Sequence, residues 1–402
     1  MKKTSLVVIS ILIFLMSFIL IIASKVDNNK REYLQKVLHN LDQIKSATHF
    51  STLSVSAPDD TLEFKTFIRY YREYSNPADT FIGSSFAWFQ VNDTTKLDYF
   101  YDGKSSARVD WGKKTIVIDS FKFNRLPFRP IGPPFFNYTR SIIKYALETK
   151  DSILLNFKDL GDSIQFSLSI FNKAVEFFGK PVYTDLANYD YPVITSQYDI
   201  WINKADNLPY RLRRKMPHNT SFETCKNVKL NKDDTNGFKE YKYFPPDFTV
   251  TYRGKQKIVI NNLEGKVAPN WILQDINNNT IDLKKLKSKI LMIQFTGIGC
   301  GPCHSSIPFL KQLVTDLKDK DFEFISIETW SKNITGIKRY QENNGINYKF
   351  LLSTEAITKN YEVLGVPVFF ILDKDRVIRK IFTGYEKDVT NKEIRDALNE
   401  LI

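Results

Sequence analysis

Cys300-Gly301-Pro302-Cys303 is the part of this 402-residue chain whose residue types and spacing could do covalent chemistry. The pair stands where an unbroken apolar run, Ile290 to Phe295, meets a helical pattern beginning near Pro302. A helix start offers unpaired N–H groups and partial positive charge, which favour a thiolate and draw a cysteine from about 8.5 toward about 7 or below. Cys300 is therefore expected to be the nucleophile. Cys303, one turn on, is expected to resolve the mixed disulfide that Cys300 forms. Zinc would need a second pair of ligands, and the third cysteine, Cys225, lies far upstream and outside any ligand pair. With His304 the string also reads C-x-x-C-H, the pattern of covalent haem attachment. Pro302 and the strand-then-helix context favour a redox dipeptide, which leaves His304 as a surface side chain of the first helical turn. A peroxidase would want a threonine three residues before the reactive cysteine, and Thr296 stands four before. No cofactor and no metal are expected.

The elements that must hold this pair follow from periodicity. Phe322 to Glu328 reads as a strand, and Gln341 to Asn344 closes a helix. Pro367 to Asp373 is a further apolar strand, with Arg376 to Phe382 as its hairpin partner across Asp373-Lys374-Asp375, and Asn391 to Ile402 is a final helix. Strands alternating with helices and ending in a hairpin predict an α/β fold with the dithiol at a strand end.

This pattern fits the thioredoxin fold, and Gly365-Val366-Pro367 matches the loop in which a cis proline faces the dithiol. Segment 263–402 resembles the exported thioredoxin-like disulfide reductases of the TlpA/ResA type. Leu263-Glu264-Gly265-Lys266-Val267-Ala268-Pro269-Asn270-Trp271 is similar to their entry strand, Leu283-Lys284-Lys285-Leu286-Lys287 to the stretch before the central strand, and Ile307-Pro308-Phe309-Leu310 to the kink in the active-site helix. The resemblance implies that Cys300 attacks, Cys303 resolves, Pro367 is the cis proline, and the backbone of Gly365 and Val366 pairs with substrate. It also implies exported disulfide-containing clients, apocytochrome c among them, and a membrane electron donor of the DsbD/CcdA type. Three positions depart from the family. Gly299 replaces an aromatic residue, which thins the apolar collar of the dithiol. Gln294 replaces a buried acid, and Ser306 replaces a helix glutamate. Glu328 could substitute as proton acceptor, although a strand-end carboxylate is expected to be exposed.

Residues 1–26 place this chemistry. Lys2-Lys3 precede an uncharged run from Leu6 to Ala23, followed by Lys25. A cleaved signal has an apolar core of ~7–15 residues and a span needs ~17–25, so the run favours an uncleaved anchor over a cleaved signal peptide. The positive flank keeps the amino end in the cytoplasm, and the remainder is expected outside, in the periplasm, tethered to the inner membrane by residues 6–23 or secreted after cleavage.

Between them, residues 27–250 are read as one domain and 251–262 as a linker to the thioredoxin-like domain, 263–402. The first domain opens with a helical stripe, Leu34, Val37, Leu38, Leu41 and Ile44. Alternating segments follow at residues 66–71, 97–101, 107–111, 115–119, 151–157, 164–170 and 198–203, with a second helix from Tyr138 to Leu147. The expected fold is mainly antiparallel β with helices across the sheet. Tyr101-Asp102-Gly103-Lys104, Asp199-Ile200-Trp201-Ile202-Asn203 and Phe244-Pro245-Pro246-Asp247-Phe248 resemble parts of the LolA-like half-barrel. That resemblance implies a concave face for an apolar or lipidated ligand, and hence an alternative role as a carrier with the redox domain accessory.

Three cysteines exclude a disulfide-stapled scaffold, and Cys225 is expected to be a small buried side chain. The net charge of +12 falls almost wholly before residue 263, partly around the amino-terminal run and in the linker. Arg211-Leu212-Arg213-Arg214-Lys215 is the densest basic cluster of the first domain, expected as a solvated strand face. Nucleic acid is not an expected partner of an exported chain. There is no phosphate loop and no Ser/His/Asp arrangement.

Overall fold

The computed structural model describes residues 28–56, 64–122, 124, 126–184, 194–216, 219–232, 240–254 and 263–401. The run Leu6 to Ala23 and linker residues 255–262 lie outside them.

The described residues up to 254 build a two-stranded hairpin, Ala174–Phe177 with Pro181–Thr184, and a separate sheet of twelve strands. Its order from edge to edge is Thr249–Tyr252, Thr115–Asp119, Ser106–Asp110, Asp93–Tyr101, Ser84–Gln90, Phe64–Ser75, Ser46–Ser56, Asn219–Leu230, Leu208–Met216, Thr195–Asn203, Ser163–Phe171 and Ile153–Asp159. All neighbours are antiparallel except the first pair, where Thr249–Tyr252 runs parallel to Thr115–Asp119. That edge strand carries the sheet two residues into the stretch read as linker, because its backbone pairs where its polar composition had suggested a connection.

Two helices, 28–42 and Phe135–Glu148, supply the apolar stripes that cover the sheet. Leu34, Val37 and Leu41 recur one and two turns apart, and with Phe135, Ile142 and Ile143 they bury against Phe166, Leu168, Tyr198 and Ile200. Each such side chain contributes about 1.5–3 kcal/mol relative to staying exposed. The second helix starts three residues before the predicted Tyr138, since Phe135 and Phe136 belong to the buried face.

Residues 263–401 form the predicted α/β unit around a five-stranded sheet. Its order is Lys349–Leu352, Phe322–Glu328, Ile290–Thr296, Val368–Leu372 and Ile378–Thr383. The first three strands are parallel and the last two antiparallel. Every residue of the central strand Ile290–Thr296 is buried. Leu291, Ile293 and Phe295 enter the core on one face, Ile290 and Met292 the core on the other, as the two-residue period of a strand requires. The closing helix spans Lys387–Asn399 rather than Asn391 to Ile402. It lacks a side-chain cap at Glu386, so Asp388 in the first turn is a weak marker of its start. The strand Lys349–Leu352 and the helix Glu355–Asn360 were not legible in the sequence, both being too short to show a period.

Candidate active site

The buried central strand delivers the chain to Gly297-Ile298-Gly299 and then to Cys300, which caps the helix Gly301–Ser305. Pro302 lies in the first turn of that helix, where its missing N–H has no intrahelical partner to lose. Cys300 and Cys303 form a disulfide with Cα atoms 5.2 Å apart. The Cys303 N–H points at Cys300 Sγ, 3.2 Å away, a donor able to stabilise a thiolate there. Cys300 keeps 6% of its surface and Cys303 only 1%, so an approaching disulfide meets Cys300 first.

A second loop faces this pair. The Val366–Pro367 peptide is cis, and the Val366 carbonyl oxygen lies 3.5 Å from Cys300 Sγ. Gly365 and Leu364, just before it, are exposed. The structure thus brings together Cys300, Cys303, Val366 and Pro367, with Gly365 one residue further along the same loop. A dithiol beside an open backbone edge can exchange with a disulfide carried on an extended polypeptide.

Beneath Cys303 the two positions that lack the family's acids bond to each other. Gln294 Nε2 donates to Ser306 Oγ at 3.0 Å, and the Ser306 hydroxyl donates to the Cys303 carbonyl at 2.7 Å. Ser326 Oγ donates to Gln294 Oε1 at 2.7 Å, which extends this neutral chain to the neighbouring strand.

Glu328 corrects the reading from sequence. Expected exposed, it is 1% exposed, because the loop before Cys300 folds over the end of its strand. Its Oε2 accepts the Ile298 N–H at 2.9 Å, and its Oε1 accepts the N–H groups of Trp330 and Ser331 at 2.8 and 2.7 Å. Burial pushes the carboxyl up to about 7 against the pull of these three donors. Trp330 was also missed. Its ring packs on Gly297 so closely that a Cβ there would stand 2.5 Å from Trp330 Cδ2. The only sequence trace of this contact is a tryptophan two residues after a strand-end acid and a glycine three before Cys300.

His304, expected at the surface, is half-buried, with Nδ1 3.3 Å from the Tyr340 hydroxyl of the helix Ile334–Asn343. Cys225 is buried in the strand Asn219–Leu230 opposite Ser51, and burial pushes its thiol well up. Among the described residues, no group of three or more His, Cys, Asp or Glu is arranged to hold a metal ion.

Comparison with known proteins gives consistent likenesses. The Redoxin family matches residues 263–398. The thiol-disulfide oxidoreductase ResA of Bacillus cereus strain ZK is 31% identical over 156 residues, a span of 38% of this chain and 82% of that protein. ResA of Bacillus subtilis strain 168 is 26% identical over 153 residues, 38% of this chain and 81% of that one. Among solved structures, a thioredoxin-family thiol:disulfide interchange protein of Chlorobium tepidum covers 34% of this chain and 94% of its own at 19% identity, with a TM-score of 0.31.

Proposed function

Because this chain belongs to the ResA-type thiol-disulfide oxidoreductases, we propose that it reduces disulfides in exported proteins, with Cys300 as attacking and Cys303 as resolving thiol. The observation that carries this reading is the Cys300–Cys303 disulfide at a helix start, with the more accessible sulfur beside the Val366 carbonyl.

In the reduced protein, the Cys300 thiolate attacks one sulfur of the client disulfide. A Cys300–client bond forms, the client S–S bond breaks, and the other client sulfur leaves as a thiolate that takes a proton from water. The Cys303 thiolate then attacks the Cys300 sulfur, releases the second client thiol and closes the Cys300–Cys303 disulfide. Two electrons pass to the client. The backbone of Gly365 and Val366 would pair with the client chain, and Pro367, lacking an N–H, leaves that edge open. The dithiol is restored by two electrons from a donor, for which the family resemblance suggests a membrane transporter of the DsbD/CcdA type. Apocytochrome c is one client this scheme accommodates.

The proposed location is outside the cytoplasm, with Leu6 to Ala23 as tether or export signal. No helix of the described residues is long and apolar enough to cross a membrane, and that run lies outside them. A half-barrel carrier role for the first domain has less support. The helices 28–42 and Phe135–Glu148 pack their apolar side chains on one face of the strands Ser163–Phe171, Thr195–Asn203 and Leu208–Met216, which leaves that part of the sheet covered.

The test is the reduction potential of Cys300/Cys303 in a Cys225→Ser chain equilibrated with dithiothreitol or glutathione. A value well below about −220 mV supports a reductase, one near −120 mV means an oxidant, and no dithiol couple removes the redox reading.

A further inference from the structure

The aromatic residue that the family sets before its first cysteine is Gly299 here, so the dithiol's apolar wall must come from elsewhere or be missing. The structure supplies one candidate. Trp330 follows the strand Phe322–Glu328, and its backbone N–H is bound by Glu328 Oε1 at 2.8 Å. The same carboxylate holds Ile298 N through its other oxygen. Strand end, Trp330 and the loop before Cys300 are therefore one hydrogen-bonded unit. The ring covers Gly297, whose carbonyl accepts the Cys300 N–H at 3.0 Å, and yet stays 52% exposed. A tryptophan that is pinned at its backbone, stacked on the redox loop and half open to solvent is not serving as core. On the other loop beside the sulfur, Leu364 is 78% exposed two residues before Val366.

We propose that Trp330 is a specificity-determining residue: it takes the place of the missing aromatic and contacts apolar side chains that flank the target disulfide of a polypeptide client. This rests on the thiol–disulfide exchange reading given above. The occupant is an extended polypeptide, because the sulfur that must be reached lies beside a backbone carbonyl, and apolar, because Trp330 and Leu364 offer rings and methyls rather than charge. Glu328 acts through Trp330 as a positioning residue.

The experiment uses the full chain, reduced and freed of reductant, and two synthetic peptides that each contain one disulfide. In one the cysteines are flanked by Phe and Leu, in the other by Ser and Gly. The second-order exchange rate is measured for each, for the native chain, Trp330→Ala and Trp330→Phe. A ring contact supports a preference of up to about tenfold for the apolar peptide. Trp330→Ala should bring the two rates within about twofold, and Trp330→Phe should retain most of the preference, which a loss of folding could not mimic. Equal rates in the native chain, or a full preference in Trp330→Ala, overturn the proposal. The ratio does not depend on the direction in which the couple runs. An oxidising potential would thus remove the reductase reading and leave this inference standing, whereas a native chain that exchanges with neither peptide sinks both.

Discussion

The Glu328 carboxylate accepts the backbone N–H of Ile298 at 2.9 Å, so the end of one strand holds the loop that leads from its neighbour to Cys300. A buried acid is thus present near the dithiol, on a different strand from the one where the family places it. It acts on backbone groups of the loop, whereas the chain beneath Cys303 is neutral.

This burial has a pH consequence. Glu328 in the folded protein keeps its proton up to about pH 7, whereas an unfolded chain releases it near 4.5. The raised pKa means that the stabilisation is complete below 4.5 and is lost as pH rises through 7. Glu328→Gln removes this titration. Its unfolding free energy relative to the native chain should shift in favour of the variant by up to about 3 kcal/mol between those limits, measured by urea unfolding of the oxidised protein. A difference independent of pH would show that Glu328 does not change its proton affinity on folding.

Gly297 is required for space rather than for backbone freedom. An added Cβ would meet the Trp330 ring at 2.5 Å, and no left-handed φ is involved. Gly297→Ala should cost about 1–3 kcal/mol, the usual penalty for overpacking. In a Trp330→Ala background the same change should be close to neutral, and thermal melts of the four proteins measure that coupling.

Cys225 should remain inert while the protein is folded. Its thiol is buried and its pKa raised by burial and by the carboxylates of Glu223 and Glu73. Titration of the reduced chain with an aromatic disulfide reagent should show two fast thiols and a third only after denaturant is added. A third fast thiol in the native chain would restore a regulatory role for this residue.

His49 is a second buried titratable group, in the first sheet. Its ring stacks on Tyr71 at 5.4 Å and meets Phe136 edge-on at 5.6 Å, and neither nitrogen has a partner among the described residues. Burial lowers its pKa from 6.5 to about 3. Below 6.5 the unfolded chain gains a proton that the folded chain refuses, so stability falls as pH drops toward 3, by up to about 5 kcal/mol. His49→Phe keeps a ring among these aromatics and should lose less stability than the native chain over that window. Glu73, raised to about 8, titrates with the opposite sign in both proteins and cancels in the comparison.

The dithiol and its place between the strand Ile290–Thr296 and a helix were legible in the sequence, because two cysteines at fixed spacing and a continuous apolar run are local signals that need no partner to be read. The Pro367 loop was reached through the family resemblance. Periodicity revealed the helix of Leu34, Val37 and Leu41, because one buried face repeats every turn. The long strands Ser46–Ser56 and Asn219–Leu230 went unread, since their many Ser, Thr and Lys residues alternate weakly, and their pairing with each other spans more than 160 residues. Tertiary structure alone decided the surroundings of the dithiol. The carboxylate of Glu328 is buried only because a loop from the adjacent strand lies over it, and Trp330 reaches Gly297 only because those two strand ends are neighbours in the sheet. Contacts between segments distant in the chain depend on register and packing, which no local pattern of residues encodes.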